Sequence, residues 1–214
     1  MTGKLSPRRL AFLLGGVALL SLAGAFYATS GLGMDPLSVL YSGIAAFTRT
    51  RLGTALFLTN AAFLLLLFFL DRKRIGLGTL AIVIVVGPLL NLLLRFFPAI
   101  PDSLVLRLLF CGLGIVSGGF GMAFYLHADL GCGPTDGLML WMQSRTPLSL
   151  RWFKVGFDIL CVVVGGLLGG SLGVGTVLSA LLSGPAMCAV LNRLVEIKQE
   201  NKCRFAAWAG RQSG

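Results

Sequence analysis

The sequence contains an internal duplication: residues 9–95 and 107–192 carry glycine, proline and aromatic residues in the same order. Equivalent positions are 98 residues apart up to Arg74 and 97 apart beyond it. Composition alone does not reproduce such an order, and internal repeats of this kind build many transporter folds. The matching segments are Arg9-Leu10 with Arg107-Leu108, Ala25-Phe26-Tyr27 with Ala123-Phe124-Tyr125, Leu32-Gly33-x-x-Pro36 with Leu130-Gly131-x-x-Pro134, Gly76-x-Gly78-Thr79 with Gly173-x-Gly175-Thr176, and Gly87-Pro88 with Gly184-Pro185.

The composition is that of a membrane protein. Of the 214 residues, 56% are apolar and 12% are charged, whereas soluble proteins carry roughly 25% charged residues. A helix that crosses a membrane needs about 20 mostly apolar residues. We therefore predict one all-α integral membrane domain over residues 1–214, in contact with the lipid bilayer. The stretches of spanning length are 10–29, 53–70, 75–95, 104–127, 152–170 and 173–193.

Each half also contains a shorter apolar segment, at residues 36–48 and 134–146. Each holds 13 residues, which is below spanning length and is typical of a re-entrant or interfacial helix. Pro36 and Pro134 suit the first turn of such a helix. With three spans per half, the second half must enter the membrane upside down. The predicted fold is therefore six transmembrane helices in two inverted three-helix repeats, each with one short re-entrant or interfacial helix.

The positions of Lys and Arg predict the orientation. With six spans and the N-terminus inside, 14 of the 18 Lys and Arg residues lie on the cytoplasmic side, as the positive-inside rule requires. If the short segments also span, eight helices result and 15 of these residues lie inside, so charge alone does not decide. The loop around Lys73 is cytoplasmic in the six-span arrangement and external in the eight-span one. Segment length favours six spans with both termini cytoplasmic.

Charge and cysteine content exclude several functions. The net charge of +10 comes from short loops and tails, and no basic helix carries interleaved aromatic residues, so we expect no nucleic-acid binding. Five cysteines without a Cys-x-x-Cys motif, and a single histidine, argue against a metal site, a disulfide framework or a cofactor. No nucleophile lies beside a base and no carboxylate pair is evident, so we predict no catalytic residues and no enzymatic activity.

The two Gly-Pro turns, residues 31–38 and 129–136, are the strongest site candidates. Glycine allows close backbone approach, and a helix start presents free N–H groups and a positive dipole end that can hold an anionic or polar substrate. The alternative is structural, with Ser38 and Asp136 stabilising the first turns of short helices. The predicted substrate-binding residues in these turns are Gly33, Asp35, Pro36, Ser38, Gly131, Gly133, Pro134 and Asp136.

Polar residues within membrane spans are costly and indicate function. Asn60 and Asp158 occupy equivalent positions in the second span of each half, and we add both to the predicted substrate site. Lys154 lies one helical turn before Asp158 and can neutralise it. Asp158 therefore has two interpretations: a structural ion pair with Lys154, or a role in binding substrate or protons.

Small residues indicate a tightly packed bundle. Gly-x-x-x-Gly pairs at 114–118, 165–169 and 166–170 favour close helix contacts, within one chain or in a homodimer. The Gly-x-Gly-Thr segments at 76–79 and 173–176 lack the lysine and the preceding strand of a nucleotide-binding loop. We expect them to let a helix begin close against a neighbouring element.

Three segments carry a resemblance to a known family: GLGMDPLSVL at 31–40, DLGCGPTDGLML at 129–140 and GVGTVLSALLSGP at 173–185. They resemble the YczE-like family of uncharacterised bacterial integral membrane proteins, which is distantly grouped with YitT-type proteins. The resemblance covers roughly residues 9–195. It implies a bacterial inner-membrane location, but it identifies neither a substrate nor catalytic residues.

Three functions are compatible with these observations. The first is a small-molecule transporter or permease of unknown substrate, with a polar site near the Gly-Pro turns, Asn60 and Asp158. The second is the substrate-binding membrane subunit of a vitamin-type ATP-driven importer, which is of similar size and depends on an external ATPase. The third is a non-transporting membrane assembly or accessory protein whose glycine-rich faces bind other helices. The repeat architecture favours the first.

Overall fold

The computed structural model describes residues 6–97, 103–146 and 150–210, and every regular element in these ranges is helical. The helices are α1 (Pro7–Ser30), α2 (Pro36–Thr48), α3 (Leu52–Asp71), α4 (Leu77–Ala81), α5 (Gly87–Phe96), α6 (Leu104–Ala128), α7 (Pro134–Gln143), α8 (Leu150–Leu167) and α9 (Val174–Gly210). A 3₁₀ turn, Arg72–Arg74, follows α3, and a π-helical segment, Ile82–Val86, joins α4 to α5.

The short helices begin at the predicted prolines. α2 has the predicted bounds, whereas α7 begins at Pro134 but ends at Gln143, three residues earlier than expected. Proline suits these starts because the first backbone N–H groups of a helix have no intrahelical partner. The two helices have 13 and 10 residues, and a membrane crossing takes about 20.

The long apolar helices make this a multi-pass membrane protein. Within the described ranges, five helices have the length and composition of a span: Pro7–Ser30, Leu52–Arg74, Leu77–Phe96, Leu104–Ala128 and Val174–Leu194. The sixth span, expected at 152–170, corresponds to α8, which has 18 residues but contains Arg151, Lys154 and Asp158. These charges separate α8 from the other five, and its crossing of the membrane stays a prediction.

The first helices of the two halves, α1 and α6, form the centre of the fold. Gly16 of α1 lies against Tyr125 near the end of α6, and Tyr27 near the end of α1 lies against Gly114 of α6. Residues early in α1 thus contact residues late in α6, and residues late in α1 contact residues early in α6. The two helices therefore run antiparallel. The two pairs occupy equivalent positions in the duplicated sequence, and glycine in each pair makes room for the tyrosine ring or backbone.

The turn after α1 docks on the second half of the chain. The Gly175 N–H donates a hydrogen bond of 2.8 Å to the Leu32 carbonyl. Gly33 has a φ of 105°, which L-residues with a side chain rarely adopt. A methyl group at Gly33 would lie 2.7 Å from the backbone N of Gly173. The turn therefore requires glycine for both its conformation and its packing.

The turn after α6 makes the reciprocal contact with the first half. The Gly78 N–H donates to the Leu130 carbonyl, also at 2.8 Å. Gly131 has a φ of 125°, and a methyl group there would lie 2.8 Å from Cα of Gly76. The Gly-x-Gly-Thr segments thus begin helices close against a neighbour, as the sequence predicted, and the neighbour is the turn of the opposite half.

The third long helix differs between the halves. In the first half, the π-helical segment Ile82–Val86 lies directly before Gly87-Pro88, one of the duplicated segments. Proline lacks the N–H that would continue the α-helical pattern, so the preceding backbone is free to widen. The Ser21 hydroxyl of α1 donates to the Val86 carbonyl at 3.4 Å. In the second half, α9 continues through Pro185.

Each short helix packs on the second long helix of the other half: α2 on α8, and α7 on α3. Gly165 of α8 faces the backbone of Val39 in α2, and Gly137 of α7 faces the side chain of Leu67 in α3. The two pairs are again equivalent in the duplicated sequence. Gly165 belongs to a predicted Gly-x-x-x-Gly face, which is therefore used within the chain. A homodimer stays a prediction.

Candidate functional site

A cavity of about 320 Å³ lies between the two halves. Its walls come from both Gly-Pro turns and from every long or short helix except α4. The volume is within the range of small-molecule sites, about 300–1,000 Å³, which combine apolar walls with a few polar groups. The apolar lining includes Leu20, Leu52, Leu56, Ile82, Leu90 and Met122.

Two carboxylates line this cavity, one from each half. Asp35 is the N-cap residue of α2, and its Oδ2 accepts a hydrogen bond of 3.3 Å from the backbone N–H of Ser38. Asp136 lies in the first turn of α7. Both carboxylates are therefore at helix N-termini, where the aligned peptide dipoles favour negative charge.

An amide and a phenol hydroxyl add a neutral polar patch. Asn60 of α3 is 4% exposed. Its Nδ2 donates to the Tyr41 hydroxyl at 2.9 Å and to the Leu56 carbonyl at 3.1 Å. Because both Nδ2 hydrogens are engaged, the orientation of the amide is fixed. Asn60, Tyr41 and Leu56 all line the cavity.

Lys154 of α8 lines the cavity as well. Its Nζ lies 2.6 Å from Oδ1 and 2.8 Å from Oδ2 of Asp158, one helical turn further along α8. The ion pair that the sequence allowed is therefore present. Asp158 lies outside the central cavity, along a second and more open depression.

The central cavity is lined by most of the substrate-binding residues predicted from the sequence. Those that line it are Asp35, Ser38, Asn60, Gly133, Pro134 and Asp136. Those that lie elsewhere are Gly33 and Gly131, in the reciprocal turn contacts, and Pro36 and Asp158, along the second depression. Gly33 and Gly131 shape the turns that place the neighbouring carboxylates, and they pack against backbone of the opposite half.

Sequence reasoning missed five polar residues of the lining: Tyr27, Tyr41, Thr135, Lys154 and Ser183. Tyr41 lies three residues after Ser38, a spacing that places both on one helix face, and this signal was available. Lys154 was considered only as the partner of Asp158. Two of the predicted site residues, Asp35 and Asp136, are 101 residues apart in the chain and line one cavity. Only the packing of the halves brings them together.

The described residues contain no group of three or more His, Cys, Asp or Glu side chains placed to hold a metal ion. Cys111 and Cys161 are buried free thiols, and Cys132 in the second turn is partly buried. The cavity lining offers carboxylate, amide, hydroxyl and aromatic groups for recognising a ligand.

Comparison with known proteins gives one family and several relatives. A family of unknown function, DUF6198, matches residues 7–192. An uncharacterised protein of Haemophilus influenzae is 36% identical over 190 residues, which cover 89% of this chain and 86% of that protein. The uncharacterised membrane protein YczE of Bacillus subtilis is 30% identical over 108 residues, 50% of each chain. The uncharacterised protein YyaS of B. subtilis is 28% identical over 172 residues, 79% of this chain and 85% of that one. No solved structure matches the chain.

Proposed function

This chain belongs to DUF6198, a family of unknown function, and from that premise we propose that it is a small-molecule transporter or permease. The observation that carries the proposal is the cavity of about 320 Å³, which is built by both halves and mixes a few polar side chains with apolar walls. Substrate sites at the interface of internal repeats are the arrangement of many secondary transporters.

The proposed topology has six spans in two inverted repeats. Its support is the antiparallel packing of α1 and α6, which are equivalent helices. Oppositely inserted repeats require that direction, whereas eight spans in two parallel repeats would make α1 and α6 parallel. In this proposal both termini are cytoplasmic, the membrane is the bacterial inner membrane, and the Gly-Pro turns face opposite sides.

Cysteine labelling tests this topology. In a variant whose native cysteines are replaced by serine or alanine, Lys73→Cys and Arg51→Cys are each treated with a membrane-impermeant maleimide. We expect Arg51→Cys to react in intact cells, and Lys73→Cys to react only after the inner membrane is permeabilised. The reverse pattern would support the eight-span arrangement and overturn the proposed one.

Transport is tested with a matched pair of tryptophan variants on α3. Leu52 lines the cavity, so Leu52→Trp fills part of it, whereas Leu58 is 54% exposed on the outer surface of the helix. Proteoliposomes with the wild type, Leu52→Trp or Leu58→Trp are incubated with a bacterial metabolite extract, and their contents are identified by mass spectrometry. We expect uptake of at least one compound by the wild type and Leu58→Trp, and loss of that uptake in Leu52→Trp.

The outcome is interpreted only if both variants remain monodisperse and melt near the wild-type temperature, since overpacking a core costs about 1–3 kcal/mol. Uptake that survives in Leu52→Trp but not in Leu58→Trp would contradict a role for the cavity. If no compound enters any of the liposomes, transport by the isolated chain is refuted.

The other two functions are separated by the native mass of the complex gently extracted from its own membrane. A co-purifying ATPase would favour the importer subunit, and stoichiometric membrane partners without a retained metabolite would favour an assembly role. A retained metabolite on the isolated chain agrees with the proposed transporter and identifies the compound to test first.

A further inference from the structure

The charges around the central cavity do not cancel. Asp35, Asp136 and Lys154 line it. The Lys154 ammonium is held by both carboxylate oxygens of Asp158, at 2.6 and 2.8 Å, so that pair is neutral by itself. Among the residues that the structure describes, neither Asp35 nor Asp136 forms an ion pair. Two carboxylates thus face the cavity without a cation of their own.

The helix N-termini offset part of this charge. The macrodipole of an α-helix is equivalent to about half a positive charge at its N-terminus. Asp35 and Asp136 lie at the starts of α2 and α7, which have 13 and 10 residues. When both are ionised, two carboxylates against two such half charges leave roughly one negative charge toward the cavity. Burial raises the pKa of both carboxyl groups, because an uncompensated charge in an apolar environment is costly. A bound monovalent cation would favour their charged forms.

The lining indicates what kind of cation fits. Small inorganic cations such as Ca²⁺ require six to eight oxygen ligands around one point, whereas most of this cavity is apolar. Three aromatic side chains, Tyr27, Tyr41 and Phe157, also line it. Aromatic rings attract ammonium groups through their negative faces. The walls therefore suit an ammonium group attached to a compact apolar body.

We propose that the cavity binds a monovalent organic cation, with its ammonium group toward Asp35 and Asp136 and its apolar body against the aliphatic walls. This inference deepens the proposed function and rests on the cavity being the substrate site. It replaces the anionic ligand that helix N-termini alone suggested, because the two carboxylates already occupy those N-termini.

Three probes of similar size and different charge test the proposal: benzylammonium, benzyl alcohol and benzoate. Binding to the purified chain in lipid nanodiscs is measured by isothermal titration calorimetry at pH 7, with the heat from empty nanodiscs subtracted to remove partitioning into lipid. We expect benzylammonium to bind at least about tenfold more tightly than either of the others, as a charge-assisted hydrogen bond warrants. Equal affinities, or a preference for benzoate, would overturn the proposal.

Carboxamide variants assign the charge to particular residues. Asp35→Asn and Asp136→Asn are each expected to weaken benzylammonium binding about 10- to 100-fold and to leave benzyl alcohol binding unchanged. Asp129→Asn is the matched control, because Asp129 does not line the cavity and its side chain is 61% exposed. Asp158→Asn should also weaken benzylammonium binding, since it leaves the Lys154 charge uncompensated. Retained affinity in both cavity variants would contradict the assignment.

Two further results separate this inference from the transport proposal. Selective benzylammonium binding without uptake of any compound into proteoliposomes would refute transport and leave the cation site standing. Uptake of neutral or anionic compounds alone, blocked by Leu52→Trp, would refute the cation site and leave transport standing. Binding of Na⁺ measured by calorimetry, with no binding of benzylammonium, would assign the charge to a metal cation and overturn the organic-cation proposal.

Discussion

Thr79 and Thr176 hold equivalent positions in the two halves but differ in hydrogen bonding, which makes them a direct test of what stabilises the reciprocal turn contacts. Thr79 Oγ1 accepts a hydrogen bond from the Gly76 N–H at 3.0 Å and donates one to the Cys132 carbonyl at 2.6 Å. Thr176 is 6% exposed, and its Oγ1 has no hydrogen-bond partner among the described residues. Valine at either position keeps the shape of threonine and removes the hydroxyl.

The two substitutions are expected to change stability in opposite senses. Thr79→Val removes both hydrogen bonds and leaves the Gly76 N–H and the Cys132 carbonyl without this partner, at about 1–2 kcal/mol each and about 2–4 kcal/mol together. Thr176→Val removes a buried hydroxyl that makes no hydrogen bond, so the free energy of unfolding should stay the same or rise by about 1 kcal/mol. A change of 1 kcal/mol moves the Tm of a chain of this size by about 2–4 °C.

Thermal unfolding in one mild detergent, followed by tryptophan fluorescence, measures the difference. The Tm of Thr79→Val should lie at least about 4 °C below that of Thr176→Val. Equal Tm values, or a lower value for Thr176→Val, would refute the account that ties stability to the hydrogen bonds of Thr79.

Two further predictions concern the same turns. Gly33→Ala should lower the Tm several degrees more than Gly31→Ala, although both glycines have positive φ (105° and 64°). The reason is that a methyl group at Gly33 would lie 2.7 Å from the backbone N of Gly173, whereas one at Gly31 would meet nothing within 4 Å. Similar Tm shifts in the two variants would show that backbone conformation alone matters. Tyr125→Phe removes the 2.8 Å hydrogen bond from the tyrosine hydroxyl to the Gly131 carbonyl and should cost about 1–2 kcal/mol, measured in the same unfolding assay and contradicted by an unchanged Tm.

The local elements of this fold were predictable because their signals are local. Proline and apolar length define α2, and its predicted bounds agree with the structure. The same apolar stretches correctly identified a multi-pass membrane protein, and three turn and helix segments correctly indicated the YczE-like family. Such signals depend on a few neighbouring residues, so one sequence suffices to interpret them.

The partner of each turn was not predictable from the duplication. A repeated turn implies a repeated geometry, but it does not say whether the turn docks within its own half or on the other. Gly33 contacts Gly173, and 140 residues of chain separate them. The placement of Asp35 and Asp136 in one cavity depends on the same long-range packing.

Most polar groups of the cavity lie at positions that differ between the halves, whereas positions that are identical in both halves make close contacts that tolerate little change. Tyr27 belongs to both sets, because it packs on Gly114 and also lines the cavity. Gly16 and Gly114 each accommodate a tyrosine of the opposite half, Tyr125 and Tyr27 respectively. Because the close approach of α1 and α6 requires glycine at both positions, the requirement applies equally to both halves and keeps them alike.

Positions that differ between the halves provide the chemistry of the cavity. Ser38 corresponds to Asp136, and Tyr41 corresponds to Met139, and all four line the cavity. The scaffold is therefore close to symmetric whereas the lining is not, so a ligand without two-fold symmetry can bind in one orientation only. A relative with the same glycines but different residues at these lining positions should keep this fold and bind a different ligand. Binding of the charged and neutral benzyl probes to such a relative would test whether selectivity depends on the lining alone.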